Sequence, residues 1–143
     1  MKQARSYYVM AIVQGMLAVL QILVPSVIFP VCQKEIEKLS GGTVPMKCHW
    51  FAVATIILGA LLLVQAILKL FLKSRETRLY NGAVTLATGI ATLICTSNCV
   101  IGVCTNAKMA CRMGTLPAVC ILGGATAFLG TLEILLNLKK EKA

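Results

Sequence analysis

Residues 50–72 read WFAVATIILGALLLVQAILKLFL, and this stretch decides the fold class. It holds a single charge, Lys69, and is apolar over most of its length. At about 1.5 Å per residue, a helix of that length covers the roughly 30 Å hydrocarbon core of a bilayer. Three more stretches of the same kind lie at about 7–29, 80–103 and 117–138. The four take up well over half of a 143-residue chain that is 58% hydrophobic and 13% charged. A soluble domain carries roughly 25% charged residues. One integral membrane domain over 1–143 follows: an all-α, four-transmembrane-helix up-down-up-down bundle. Two Cys-containing extracytoplasmic loops, about 30–49 and 104–116, decorate it. The first span is too long for a signal-peptide core and no small-x-small cleavage site follows it, so it reads as a retained helix. Phe29-Pro30-Val31-Cys32 is likewise a poor match for a lipoprotein cleavage signal.

The net charge of +9 is distributed as a topology signal. Lys2, Arg5, Lys69, Lys73, Arg75, Arg78, Lys139, Lys140 and Lys142 flank one side of the predicted spans, nine residues in all. Five (Lys34, Lys38, Lys47, Lys108 and Arg112) flank the other. The bias predicts a multi-pass protein of the cell membrane with both termini and the 74–79 turn in the cytoplasm. Nucleic-acid binding needs basic residues gathered on one folded face with aromatics between them, and the pattern excludes it. Tyr7, Tyr8, Trp50 and Tyr80 fall at span ends, where amphipathic rings favour the interface.

Span three carries Thr85, Thr88, Gly89, Thr92 and Thr96, and span four Gly123, Gly124, Ala127, Gly130 and Thr131. Small residues at three- and four-residue spacing let helices approach closely in lipid. The intramembrane polar residues are Gln14, Gln21, Lys69 and Glu133. Lys69 and Glu133 fall at similar depth, so a pair between them, assisted by Gln14, would neutralise both charges. A packing pair near the headgroups and a proton or ion relay are both readings of it. A small-solute channel needs a continuous polar stripe, which Gln14, Gln21 and Glu133 are too few to define.

The outer loops hold the densest chemistry. Cys32 and Cys48 bracket the first, and Cys104 and Cys111 lie in the second. Each loop contains a Met-x-Cys, at Met46-Lys47-Cys48 and Met109-Ala110-Cys111, a faint mark of internal duplication. Outside the cytoplasm such cysteines form structural disulfides, and four allow three connectivities. Met46, Cys48, His49, Cys104, Met109 and Cys111, with Met113, also make a donor set for a soft metal, Cu or Zn, although no CxxC or HxxxH spacing is present. Thiol–disulfide chemistry is the third reading. Lys47 and Arg112 flank cysteines and would favour thiolates, and the layout resembles quinone-linked thiol oxidases related to disulfide-bond protein B, but their CxxC is missing. Glu35 and Glu37 lie in a Lys-flanked run that reads as a solvated helical face. No Ser-His-acid set for hydrolysis appears.

Phe29-Pro30-Val31-Cys32, Met46-Lys47-Cys48-His49-Trp50, Ile101-Gly102-Val103-Cys104, Met109-Ala110-Cys111-Arg112 and Thr115-Leu116-Pro117 resemble a family of small bacterial and archaeal membrane proteins. That family is known only as a domain of unknown function. The resemblance covers nearly the whole chain through its CHW and GVC-x6-C motifs. It implies four spans and a family motif at Cys32, Cys48, His49, Trp50, Cys104, Met109 and Cys111, with no established activity. Members are often encoded near ABC-type export systems, which implies a transporter accessory role. Cys95, Cys99 and Cys120 lie outside the pattern and read as packing residues.

The sequence therefore predicts a non-enzymatic accessory or partner-binding subunit of an envelope or ABC-type transport system, with a disulfide-stapled cap and no cofactor. Its runner-up is a thiol-redox or Cu/Zn-handling membrane protein. The bilayer is the first partner; an ABC-type transporter or a second copy of the chain would be the next. Reporter fusions at Ala143 and within residues 74–79 should both signal cytoplasm, and an external signal at either overturns the charge-based topology.

Overall fold

The computed structural model describes residues 2–31, 35–37, 41, 43–45, 47–71, 74–97, 99–103 and 111–141. Four helices dominate: α1 (Lys2–Leu23), α2 (Lys47–Phe71), α3 (Arg75–Thr96) and α4 (Leu116–Glu141). The segments long and apolar enough to cross a membrane are Ser6–Ile28, Lys47–Phe71, Glu76–Thr96 and Cys111–Lys139. The protein is a four-span membrane bundle.

Cross-helix contacts fix the directions of the helices. A Cβ on Gly59 of α2 would meet Ala18 and Ile22 of α1, while Lys69, further along α2, reaches back to Gln14. Those two helices are antiparallel. On the other side Gly82 faces Glu133, Gly89 faces Ala127 and Gly123 faces Thr92, so α3 and α4 are antiparallel too. Gln21 meets Thr92 and Tyr7 meets Arg78, which makes α1 and α3 parallel. Both termini and the α2–α3 turn thus share one end, called here the terminal end. The cap lies at the other.

The interior is more polar than the outside. Gln14, Gln21, Thr55, Lys69, Asn81, Thr85, Thr88, Thr92, Thr126 and Glu133 are buried, while Ile12, Met16, Ile57, Leu61, Ile121 and Phe128 are exposed. A water-soluble bundle has the opposite arrangement. In lipid the outside needs no polar surface, and polar groups go inward to find one another. Several buried hydroxyls bond their own helix, as Thr88 does to the Val84 carbonyl and Thr55 to the Phe51 carbonyl, both at 2.8 Å.

The α3–α4 contact is the closest in the bundle, and small residues make it. A Cβ on Gly89 would lie 2.4 Å from the Ala127 backbone nitrogen, and one on Gly130 2.4 Å from that of Leu86. The stripe expected from spacing is therefore a packing surface, but not at every position. Gly124 faces open space, and Thr131 is exposed with its hydroxyl on the Ala127 carbonyl.

Both prolines inside the spans adjoin a π-type turn. Pro25 lies in Val24–Ile28, which continues α1, and Pro117 follows Cys111–Thr115, which leads into α4. A proline has no N–H for the regular i→i−4 ladder, and a wider turn absorbs the loss.

Two boundaries differ from expectation. Span three was expected to reach 103, yet α3 stops at Thr96. The chain turns there, and Gly102 adopts a φ of 64°, in the left-handed region that glycine enters without strain. Val103 then folds inward against Val24, Phe51 and Val119, so its apolar character reflects a core under the cap instead of more helix. The first outer loop differs as well. Glu35–Glu37 is a strand, β1, paired antiparallel with β2 (Thr43–Pro45) in the register Ile36↔Val44, and this replaces the expected helical face. Gly41 lies in the connection with a φ of 80°.

Replacing Gly89 by alanine should force α3 and α4 apart and cost about 1–3 kcal/mol. Gly124→Ala, which meets no neighbour, should leave thermal stability unchanged or slightly raised. Melting both variants in detergent measures the difference.

Candidate functional site

Three groups of side chains carry chemistry. The first lies near the terminal end. Lys69, two residues before the end of α2, is 1% exposed, and its ammonium forms an ion pair with Glu133 Oε1 of α4. Lys69 Nζ also donates to Gln14 Oε1 of α1 at 2.8 Å. One ammonium therefore joins three helices. It sits there because α2 carries it on the face that also buries Leu62 and Ala66, four and three residues apart along the helix. A charge at that depth is costly unless paired, and the geometry supplies the pair. Glu133 Oε2 and Gln14 Nε2 find no hydrogen-bond partner among the described residues.

Beside this pair lies a cavity of about 280 Å³, lined among others by Ser6, Tyr7, Lys69, Arg78, Glu133 and Asn137. The Arg78 guanidinium stacks over the Tyr7 ring, 4.6 Å from its centroid. Such a contact is favourable when water is partly excluded. Asn137 Nδ2 donates to the Glu133 carbonyl at 2.9 Å and braces the turn that carries the carboxylate.

The second group lies further towards the cap. Gln21 Nε2 donates to Thr92 Oγ1 at 2.8 Å, and the Thr92 hydroxyl donates in turn to the Thr88 carbonyl at 2.9 Å. Gln21 and Gln14, seven residues apart, thus face different partners, one on α3 and one on α2. Thr92 reads as a packing residue from its spacing alone; its second role as acceptor shows only when α1 is placed against it.

The third group is the cap. Cys48, in the first turn of α2, and Cys111, at the start of the π-type turn before α4, bring their sulfurs within 3.4 Å. Both residues are 0% exposed. They are the cysteines of the two Met-x-Cys segments, so equivalent positions of the two halves meet at one point. Thr115 Oγ1 donates to the Phe29 carbonyl at 2.9 Å, and the Phe29 ring lies against Gly114, which closes the end of α1 onto the start of α4.

Other sequence candidates separate from this group. His49 is exposed and meets Trp50 edge-on, with centroids 5.9 Å apart. Met113 is 71% exposed. Cys32, Met46, Cys104 and Met109 lie outside the described residues. Among the described residues no three His, Cys, Asp or Glu side chains converge on a point where a metal would bind. Cys95 and Cys120 are half-buried and Cys99 is exposed, all three as free thiols.

The sequence reading did not single out Tyr7 and Arg78 as a stacked pair, nor Asn81, which is 6% exposed. Their signal is weak in one dimension, because each sits at a span end where interfacial residues are ordinary. Only the approach of α1 to α3 turns them inward.

Lys69→Met should strand the Glu133 carboxylate and lower stability by about 3 kcal/mol or more. The double variant Lys69→Met/Glu133→Leu removes both charges and should recover most of that loss, read as folded yield and melting temperature in detergent.

No curated protein and no solved structure matches the chain. The polar groups at Gln14, Gln21, Lys69 and Glu133 and the paired cysteines all fall within residues 11–136, which match the model of a family described as a domain of unknown function (DUF4418), and the protein belongs to that family.

Proposed function

We propose that this chain is a non-enzymatic accessory or partner-binding subunit of an envelope or ABC-type transport system. In this reading it lies in the cell membrane with both termini in the cytoplasm and a disulfide-stapled cap outside. The observation that carries it is the burial of Cys48 and Cys111 at the junction of the two outer loops. Sulfurs with no exposed surface are closed to a partner's thiol and suited to holding a cap together. Cys48 does not titrate as a thiol, which supports a disulfide from it to Cys32 or Cys104. Such a bond closing a loop of about 15 residues stabilises by about 3 kcal/mol in the chain-entropy model. Interior polar groups that bond to one another favour a rigid binding body over a conduit. The excess of basic residues at the terminal end supports the orientation, and the family resemblance supports the transport association.

A second reading, thiol-redox or Cu/Zn handling, draws on the same 3.4 Å approach, since neighbouring sulfurs are also what exchange or a soft metal requires. One experiment separates the two. Protein from native membranes is alkylated at once and then analysed as intact chain and peptides, with metal content measured alongside. Cap cysteines that resist both alkylation and a mild thiol buffer support the staple. Ready exchange, or stoichiometric copper or zinc, overturns it in favour of the second reading.

A further inference from the structure

The cavity at the terminal end has an acceptor at its floor and a cation at its mouth. Glu133 is 5% exposed, lines the cavity and keeps Oε2 without a partner among the described residues, while its other oxygen is committed to Lys69. A buried carboxylate oxygen is a strong acceptor whose solvation has been removed, and it calls for a donor. Arg78 lines the same cavity, held over the Tyr7 ring with its fixed fork of N–H groups. The exposed Ser6 hydroxyl adds a polar group on the same wall. A ligand that satisfies both ends carries a positively charged N–H donor and, a few ångströms away, an anion.

Size and position narrow the choice. A volume of about 280 Å³ lies near the lower end of the roughly 300–1,000 Å³ range of small-molecule sites, enough for a headgroup and too little for a whole lipid. Leu136, also on the cavity wall, is 48% exposed on the lipid-facing side of α4, so acyl chains can leave the cavity along apolar surface. Tyr7, Tyr8 and Tyr80 mark the same end as interfacial.

We propose that this cavity binds the headgroup of a zwitterionic phospholipid with a primary ammonium, such as phosphatidylethanolamine. The ammonium donates to Glu133 Oε2, and Arg78 and Ser6 take the phosphate. The assignment is independent of what the cap does. A simple anionic lipid would leave the Glu133 oxygen unsatisfied, and a quaternary ammonium has no N–H to give it.

The test is a headgroup series on the intact protein. Delipidated wild-type chain in detergent is titrated with phosphatidylethanolamine, its mono- and dimethyl derivatives, phosphatidylcholine and phosphatidylglycerol, and bound lipid is counted by native mass spectrometry. Removing the last N–H, between the dimethyl lipid and phosphatidylcholine, should weaken binding about tenfold or more, the scale of a charge-assisted hydrogen bond. Glu133→Gln should abolish that step, and Arg78→Gln should weaken phosphatidylethanolamine and phosphatidylglycerol alike. The series on wild-type protein decides the matter even where a variant does not fold. Equal binding across the series overturns the proposal, as does tighter binding of phosphatidylglycerol. If free glycerophosphoethanolamine binds as tightly as the lipid, the lipid source is overturned.

Discussion

The ion pair between Lys69 and Glu133 is the constraint from which most of the bundle follows. Neither group is tolerable alone at that depth, and Lys69 is 1% exposed. Meeting requires α2 and α4 to run parallel and in one register, and the bond from Lys69 to Gln14 brings α1 to the same level. With α2 and α4 fixed at one end by this pair and at the other by Cys48 beside Cys111, the sliding freedom of the two helices is gone. Apolar packing in lipid has little power to set register, because lipid tails compete for the same dispersion contacts. A few directional polar contacts set it here.

Two kinds of contact divide the work. Within each sequential pair, α1 with α2 and α3 with α4, backbones approach through glycine: Gly59 against Ala18, Gly89 against Ala127, Gly130 against Leu86. Between the pairs the contacts include polar bonds, Lys69 with Glu133 and Gln21 with Thr92, and the sulfur contact at the cap. Close packing builds the halves and polar chemistry joins them. The cavity is a by-product of that joint, since the pair that pins α2 to α4 leaves one carboxylate oxygen turned to open space.

The fold was legible because its rule is simple: apolar run length against membrane thickness. That rule located four spans and misjudged the end of the third, since hydropathy cannot distinguish Val103 in a helix from Val103 folded under a cap. The strand at Glu35–Glu37 had a readable signal in its alternating Glu-Ile-Glu and the Ser40-Gly41-Gly42 that follows, but the flanking lysines suggested a solvated helix. In the interior, matched depth was enough to bring Lys69 and Glu133 together on paper, and the structure contains that pair. The cavity was not legible at all. Its wall comes from four helices, and Ser6, Tyr7 and Asn137 each look ordinary in the sequence. The cap stands between these cases: cysteine density pointed to it, but the meeting of Cys48 with Cys111, and the separation of His49 from both, depend on helix phase that spacing across two loops does not encode.

The division into two halves joined by charge has a consequence for how the chain is made. Each helical hairpin can enter the bilayer as a unit, but a hairpin awaiting its partner displays at membrane depth either a bare ammonium or a bare carboxylate. Such an intermediate is unlike any finished protein in the membrane, and the difference disappears only when the hairpins dock in register. The ion pair thus acts as a built-in report on completeness: an orphaned or misregistered half stays chemically conspicuous to membrane chaperones and proteases, while the assembled bundle shows lipid little but hydrocarbon.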